Sequence, residues 1–369
     1  MSSVLEHRRD YLRLMRQFTL DNGFFTVTDI QQAAGIPRST AQDWVYRLLN
    51  EGCVLLKEEK RGRNAARYAA LSAMPASTCK RIFTTVDGDQ VAIYHDCISG
   101  ACAAFCGYHH ALAGGPLYHV ERDGTLLKEM AHLGGCEISV GLAPLAAVGV
   151  CSVERNEDAI VQTIRCIGGP AYSLSGMMAR AEGVLRVEPH HINHVVEGKV
   201  WTSARMHVII GVDDTDTRDG GATFALALAL LNHLSGIKGI LPISHHVVML
   251  NPDVFRKTAG NSASYIEVAV LPAMVQDLTE RARRFVADET FSPDWGIAIR
   301  SGFIPLEGLR EYGRLVREQV VTRVVAEATA ERYKITLVGG NGVIGALGAV
   351  ALAGLSHEIQ LDPAKNDFS

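Results

Sequence analysis

Three carboxylates crowd one short stretch, Gly211-Val212-Asp213-Asp214-Thr215-Asp216, at the end of the apolar run His207–Val212. Like charges that close repel, so Asp213, Asp214 and Asp216 need protons or a cation. A hard divalent cation such as Mg²⁺ meets that need and leaves positions for water and phosphate. A solvated polar turn is the plainer reading. Downstream, Leu250-Asn251-Pro252 precedes Lys257-Thr258-Ala259-Gly260-Asn261. A lysine beside hydroxyl and glycine residues can wrap a phosphate with backbone N–H groups while the amine neutralises charge. Lys257, Thr258, Gly260 and Asn261 are therefore candidate nucleotide contacts, although a surface loop with a lysine would look the same. A third stretch, Gly339-Gly340-Asn341-Gly342-Val343-Ile344-Gly345, follows a strand-like run and opens an apolar helix. Gly339, Gly340, Gly342 and Gly345 suit a turn that sets a helix N-terminus against an anion, or simply a tightly packed helix.

Thiols and imidazoles form a fourth group. Cys97, Cys102 and Cys106 are followed by His109 and His110. Such ligands at short intervals can hold Zn²⁺ or an iron–sulfur cluster, but the spacing matches neither a zinc ribbon nor a ferredoxin. Buried cysteines acting as small hydrophobes are the alternative. His190, His191 and His194 read as solvated linker histidines.

The elements that must position these groups follow from local patterns. Residues 1–72 carry a net charge of +3 and the remainder −7, so a basic module is joined to an acidic body. In the module, Leu5–Leu20 has a rough helical stripe. A short helix follows, with Thr28 as its expected N-cap and Gly35 as its left-handed stop. After the turn Ile36–Ser39, Ala41, Trp44, Val45, Leu48 and Leu49 mark a second helix, giving a helix-turn-helix. Val54–Lys57 and Ala65–Leu71 are expected strands with a basic tip between them. The ordered pattern resembles a winged helix, in which Arg38, Ser39, Thr40 and Gln42 start the recognition helix and Lys60, Arg61 and Arg63 lie in the wing. Pro75 marks a boundary. Residues 76–205 are expected to form a mixed α/β middle region ending in a linker over 188–205. Residues 206–369 are expected to form an α/β domain with a helix at Thr223–Leu234 and a single helix over Leu306–Val325. The fold class is thus α/β multidomain, or α+β.

Composition bounds the function. The chain has 369 residues, 47% of them hydrophobic, with a net charge of −4, which excludes wholesale disorder and a generally polycationic surface. The eight cysteines lie between Cys53 and Cys166 without the pattern of a disulfide scaffold. The polar N-terminus does not read as a signal peptide, and the apolar runs fall short of the ~20 residues of a membrane helix, so a cytoplasmic protein with no membrane partner is expected.

The three phosphate-type stretches together resemble, in order and separation, the kinase-like domain of archaeal tRNA-isoleucine agmatinylcytidine synthetase. That family carries Gly-Ile-Asp-Asp-Thr-Asp-Ser, Leu-Asn-Pro…Lys-Thr-Arg-Gly-Asn and Gly-Val-Ile-Gly-Ala-Leu stretches, here over about 206–356. Gly211–Thr217 and Gly221–Phe224 are more similar still to the methanogenesis marker protein eleven family. The first resemblance implies ATP and Mg²⁺ as cofactors, with Asp213, Asp214 and Asp216 as the acidic cluster and Thr223 at the position of a phosphoryl-transfer threonine. Ala222, Phe224 and Ala259 depart from the pattern. The expected function is an ATP- and Mg²⁺-dependent phosphoryl or nucleotidyl transferase targeted by a winged helix. The alternative is a DNA-binding transcriptional regulator with a nucleotide- or metabolite-sensing domain. Nucleic acid is the expected partner, DNA ahead of RNA because winged helices more often read DNA, and a homodimer is left open.

Overall fold

The computed structural model describes all residues except 1, 63, 74–76, 256, 259, 304–306, 366–367 and 369. Arg63, Pro75 and Ala259 therefore lie outside the described residues. The N-terminal module runs α1 (Ser2–Asn22), α2 (Val27–Ala34), α3 (Arg38–Asn50), β1 (Val54–Glu58) and β2 (Arg67–Ala70). β1 and β2 pair antiparallel. Met15, Phe25, Ile30, Val45, Leu48 and Tyr68 belong to a core formed within this module. α2 starts earlier than an N-cap at Thr28 would allow. Thr26 is its N-cap and closes a capping box with Asp29: the Thr26 N–H donates to Asp29 Oδ2 at 2.7 Å, and the Asp29 N–H donates to Thr26 Oγ1 at 3.3 Å. Gly35 ends the helix at φ 63°, as its left-handed role requires.

The middle region contains β3 (Cys79–Asp87), β4 (Gln90–Cys97), α4 (Gly100–Ala113), β5 (Leu117–Asp123), β6 (Leu126–His132), β7 (Gly134–Gly135), β8 (Val148–Asn156), β9 (Ala159–Cys166), α5 (Gly168–Gly176) and β10 (Val184–Ile192). Residues 188–205 are not a linker. They form the end of β10, a tight turn, and the first half of β11 (Val195–Asp213), with Val187 opposite Val200 and Ile192 opposite Val195. The histidines at 190 and 191 lie in β10, where exposed edge positions tolerate polar side chains.

β11 is the spine of the molecule. Its first half pairs with β9 and β10, and Ala204 and Arg205 pair in parallel with β3. Its second half runs without a break past residue 206 between two antiparallel neighbours. The C-terminal region adds α6 (Thr223–Ser235), β12 (Ile240–Met249), β13 (Ser262–Val270), α7 (Val275–Glu289), β14 (Gly296–Ser301), α8 (Glu307–Glu318), α9 (Arg323–Arg332), β15 (Thr336–Gly339), α10 (Val343–Ala351) and α11 (His357–Leu361). The local strand order is β12-β13-β11-β14-β15, all antiparallel.

Strand alternation sorts the two faces of this sheet. Val208, Ile210 and Val212 pack with Leu230 and Leu234 of α6 and Leu278 and Val286 of α7. Ile209 faces the opposite layer with Leu309 of α8, Ala326 of α9 and Ala346 of α10. The expected single helix over Leu306–Val325 is two helices, α8 and α9. The β-branched run Val320-Val321-Thr322 falls between them, where helix propensity is low.

Candidate functional site

β11 ends at Asp213, which is buried, and the chain turns sharply at Asp214, whose φ is 54°. Aspartate tolerates this left-handed region better than most residues. α10 then lies directly over the strand ends. A Cβ on Gly211 would strike the Ala346 carbonyl oxygen, one on Gly296 the Val343 nitrogen, and one on Gly345 the Asp213 carboxylate. These glycines let helix and sheet approach backbone to backbone, and they bring the first turn of α10 against Asp213.

The glycine turn itself is used differently from the phosphate cradle expected of it. The Gly340 N–H donates to Trp295 O and the Gly342 N–H to Asp294 O, both at 2.7 Å. Those donors are spent on the protein. Gly339 and Gly340 pack on the backbone of Trp295 and Asp294, and Gly345 alone of the four glycines lines a described cavity.

Two adjoining cavities share Asp213, Asp214, Asn261 and Asn341. The first is largely apolar, walled by Leu250, Val254, Val316, Val320, Val321 and Ile344. The break between α8 and α9 supplies Val320 and Val321. The second is polar and brings in Asp216, Lys257, Thr258 and Gly260, together with Asp294 and Arg218. Stretches more than a hundred residues apart thus meet at one cleft. Asp216 accepts from Thr258 Oγ1 at 2.9 Å and from Thr223 Oγ1 at 3.1 Å, which ties the acidic turn to both the lysine loop and α6. Thr223 is buried and also meets the Thr215 hydroxyl at 3.1 Å, so it orients the turn instead of facing either cavity. Lys257 is exposed and its ammonium donates to the Pro252 carbonyl. Asn261 Nδ2 donates to Asn251 O at 2.8 Å.

Asp294 and Arg218 are additions that sequence reasoning missed. Asp294 accepts from Asn341 Nδ2 at 3.3 Å. It lies in a loop before β14 with no patterned neighbours, so no local signal marked it. Its charge matters: burial first, then Asp294 and Asp216, lift the Asp214 carboxyl to about 6. Burial, and next the charge of Asp214, hold Asp213 well above the usual carboxylate range. The site is short of positive charge.

Among the described residues no three or more His, Cys, Asp or Glu are grouped to hold a metal ion. The three aspartates are therefore not a ready cage, since Asp216 turns toward two threonines. The cysteines fail the same test. Cys97, Cys102 and Cys106 do line one cavity, but their thiols are held protonated. The hydrogen bond from Cys106 lowers Cys97, yet the bond to Cys79 and burial push it up to about 12. Cys106 is raised by its hydrogen bond with Cys97 and then by burial, and Cys102 is raised by burial. Among the described residues these cysteines and their neighbouring histidines form no metal-holding group of three or more.

In the N-terminal module, Arg38 and Ser39 are exposed at the start of α3, Thr40 is half-buried, and Gln42 Nε2 donates to Tyr46 Oη at 3.3 Å. Lys60 and Arg61 are exposed at the tip between β1 and β2, where Gly62 has φ 59°. Among the described residues no helix is long and apolar enough to cross a membrane.

Residues 209–270 match the TiaS TCKD domain. The match begins in β11 and ends with β13, so it contains the acidic turn and the lysine loop. An uncharacterized protein of Methanocaldococcus jannaschii is 28% identical over 223 residues, covering 59% of this chain and 74% of its own. The tRNA 2-agmatinylcytidine synthetase TiaS of Pyrobaculum neutrophilum is 32% identical over 152 residues, covering 39% of this chain and 35% of its own. Among solved structures, a complex of TiaS with tRNA and ATP has a TM-score of 0.36 at 25% identity, covering 40% of this chain and 36% of that one. The chain resembles TiaS in this region, and it spans about a third of the length of the TiaS synthetase it matches.

Proposed function

We propose that this chain is an ATP- and Mg²⁺-dependent transferase of phosphoryl or nucleotidyl groups acting on RNA, with the N-terminal module as a winged-helix grip. The observation that carries this reading is the meeting of the acidic turn and the lysine loop at a polar cavity, beside an apolar one lined by the first turn of α10. The apolar walls suit a flat adenine, and the polar side suits phosphates. The named synthetases act on tRNA, which turns the preference from DNA to RNA.

The residues fit Mg²⁺ in a specific way. This ion is usually held by one or two carboxylates, with phosphates and water completing its shell. Asp213 and Asp214 would hold it; burial first and neighbouring carboxylates next raise both groups, and a cation would offset both effects. When bound it would draw charge off the phosphate oxygens. Lys257 and Arg218 would face the remaining phosphate charge. Asp216, steadied by Thr223 and Thr258, keeps the turn in register with the lysine loop.

A nucleotide-sensing, DNA-binding regulator is the competing reading. Incubation with ATP, Mg²⁺, total RNA and small amines, with ADP and AMP resolved, separates the two. The transferase gives RNA-dependent nucleotide turnover that is lost in Asp213→Asn. Nucleotide binding without turnover on any RNA, combined with tight duplex DNA binding, supports the regulator.

A further inference from the structure

α4 (Gly100–Ala113) contains no Asp, Glu, Lys or Arg. One face packs on the sheet: Ala103 and His110 are buried, and a Cβ on Gly107 would meet Leu127 Cδ1 at 3.0 Å. The opposite face is exposed, and it carries Ala101, Ala104, Phe105, Tyr108, Ala111 and Leu112. These fall at i, i+3, i+4, i+7, i+10 and i+11, the repeat of a seam that packs against another helix. A helix on a protein surface normally turns charged residues outward, and one that is apolar on every side is normally buried.

The exposed face extends beyond the helix. Phe105 and Tyr172 of α5 line one cavity of about 440 Å³, which joins the two helices along this face. His109 Nδ1 accepts the Ala147 N–H at 3.2 Å, holding the loop that carries Leu142 and Leu145 against α4. Phe105, Tyr108, Leu112, Leu142, Leu145 and Tyr172 are 43% to 83% exposed. Half-exposed side chains of this size present roughly 100 Å² each, so with the alanines the face approaches the ~800 Å² per partner of a standard interface. Contiguous apolar surface on this scale marks an interaction site.

Charge decides the occupant. Residues 98–118, 138–153 and 166–179, which build the face, contain no Asp, Glu, Lys or Arg, whereas the chain beyond residue 72 has a net charge of −7. A charged partner or an anionic lipid surface finds no counter-charge there. A second copy needs none, and meeting through this face keeps the two acidic bodies' charges apart. The face also complements itself in shape. Ala104 and Ala111 lie on either side of Tyr108 along the seam, as hollows beside a knob. A two-fold axis sets the same patch on both sides, and it lays the Tyr108 ring of each copy in an alanine hollow of the other.

We propose that this chain forms a two-fold dimer through the exposed face of α4, with Tyr108 at its centre and Leu142, Leu145 and Tyr172 around it. The dimer is independent of the nucleotide cleft and does not rest on the transferase reading.

Sedimentation of the full chain tests this. Wild type should sediment at twice the 39.9 kDa chain mass at micromolar concentration. Tyr108→Glu buries an unpaired charge at the centre and should raise the dimer Kd at least about a hundredfold. Leu142→Glu, in the loop, should raise it at least about tenfold. Both side chains are exposed, so both variants should keep the wild-type circular dichroism spectrum. Val324, exposed on α9 in the C-terminal region, lies outside the face, and Val324→Glu should leave the Kd unchanged. The proposal is overturned if wild type is monomeric throughout the micromolar range, if it forms a different oligomer, or if folded Tyr108→Glu and Leu142→Glu sediment like wild type. A monomeric wild type that floats with phosphatidylcholine vesicles would give the face to a membrane and overturn it equally.

Discussion

Asp214 shows how a site can work against its own fold. The folded chain lifts this carboxyl to about 6, with burial the largest cause, while an unfolded aspartate titrates near 3.9. The folded state therefore binds the proton more tightly, and stability present at low pH is lost as pH rises through that window. Asp214→Asn removes the cost, and asparagine also tolerates the left-handed backbone. The protein without nucleotide should gain on the order of 1–3 kcal/mol at pH 7.5 and close to nothing at pH 4. Thermal melts at both values check this, and an equal gain at pH 4 would refute the charge argument. The same variant should bind Mg²⁺–nucleotide poorly. Asp294→Asn should lower the Asp214 pKa, shifting the acid limb of nucleotide binding to lower pH, which titrations between pH 5 and 7.5 would detect. At this scale the sequence was partly legible. Three carboxylates at the end of an apolar run announce an electrostatic problem in any fold. Asp294 was invisible because only tertiary structure brings it to the turn, whereas Arg218, two residues beyond Asp216, was in plain view and carried no pattern that marked it.

At the scale of elements, the close seating of α10 on β11 and β14 decides where the Asp213 carboxylate sits. Gly345→Ala would push a methyl into that carboxylate. We expect nucleotide affinity to fall at least tenfold, with a stability cost of about 1–3 kcal/mol, the usual range for overpacking. Gly211→Ala meets a backbone oxygen of Ala346 that cannot swing aside. It should cost more stability than Gly345→Ala, and denaturant unfolding of the two variants would rank them. The apolar runs of β11, α6 and β15 were readable because each buries a continuous or alternating face. The β10–β11 hairpin was not, because its exposed edge carries His190 and His191 and so mimics a polar linker. The α8–α9 break also escaped notice, since a helical stripe continues on both sides of Val320-Val321-Thr322.

For the whole molecule, one strand joins two regions. β11 carries the middle region's sheet at its start and the acidic cleft at its end, so the two regions share a rigid element. The N-terminal module keeps its own core and touches the body through contacts that include the Arg180–Asp21 ion pair at 3.0 Å. Its charge was legible in the sequence as a net of +3 over residues 1–72, but its target was not, because phosphate-seeking cations do not distinguish RNA from DNA. Replacing Lys60 and Arg61 by alanine should weaken RNA binding and flatten its salt dependence by up to about two in log–log slope, leaving nucleotide binding unchanged. Whether the cleft holds Mg²⁺–ATP is decided by calorimetric titration of ATP into the full chain with and without Mg²⁺. Wild type should bind one-to-one and only with Mg²⁺, with binding abolished in Asp213→Asn and weakened in Lys257→Ala. No heat of binding to wild type at millimolar ATP and Mg²⁺, or undiminished binding by Asp213→Asn, would contradict it.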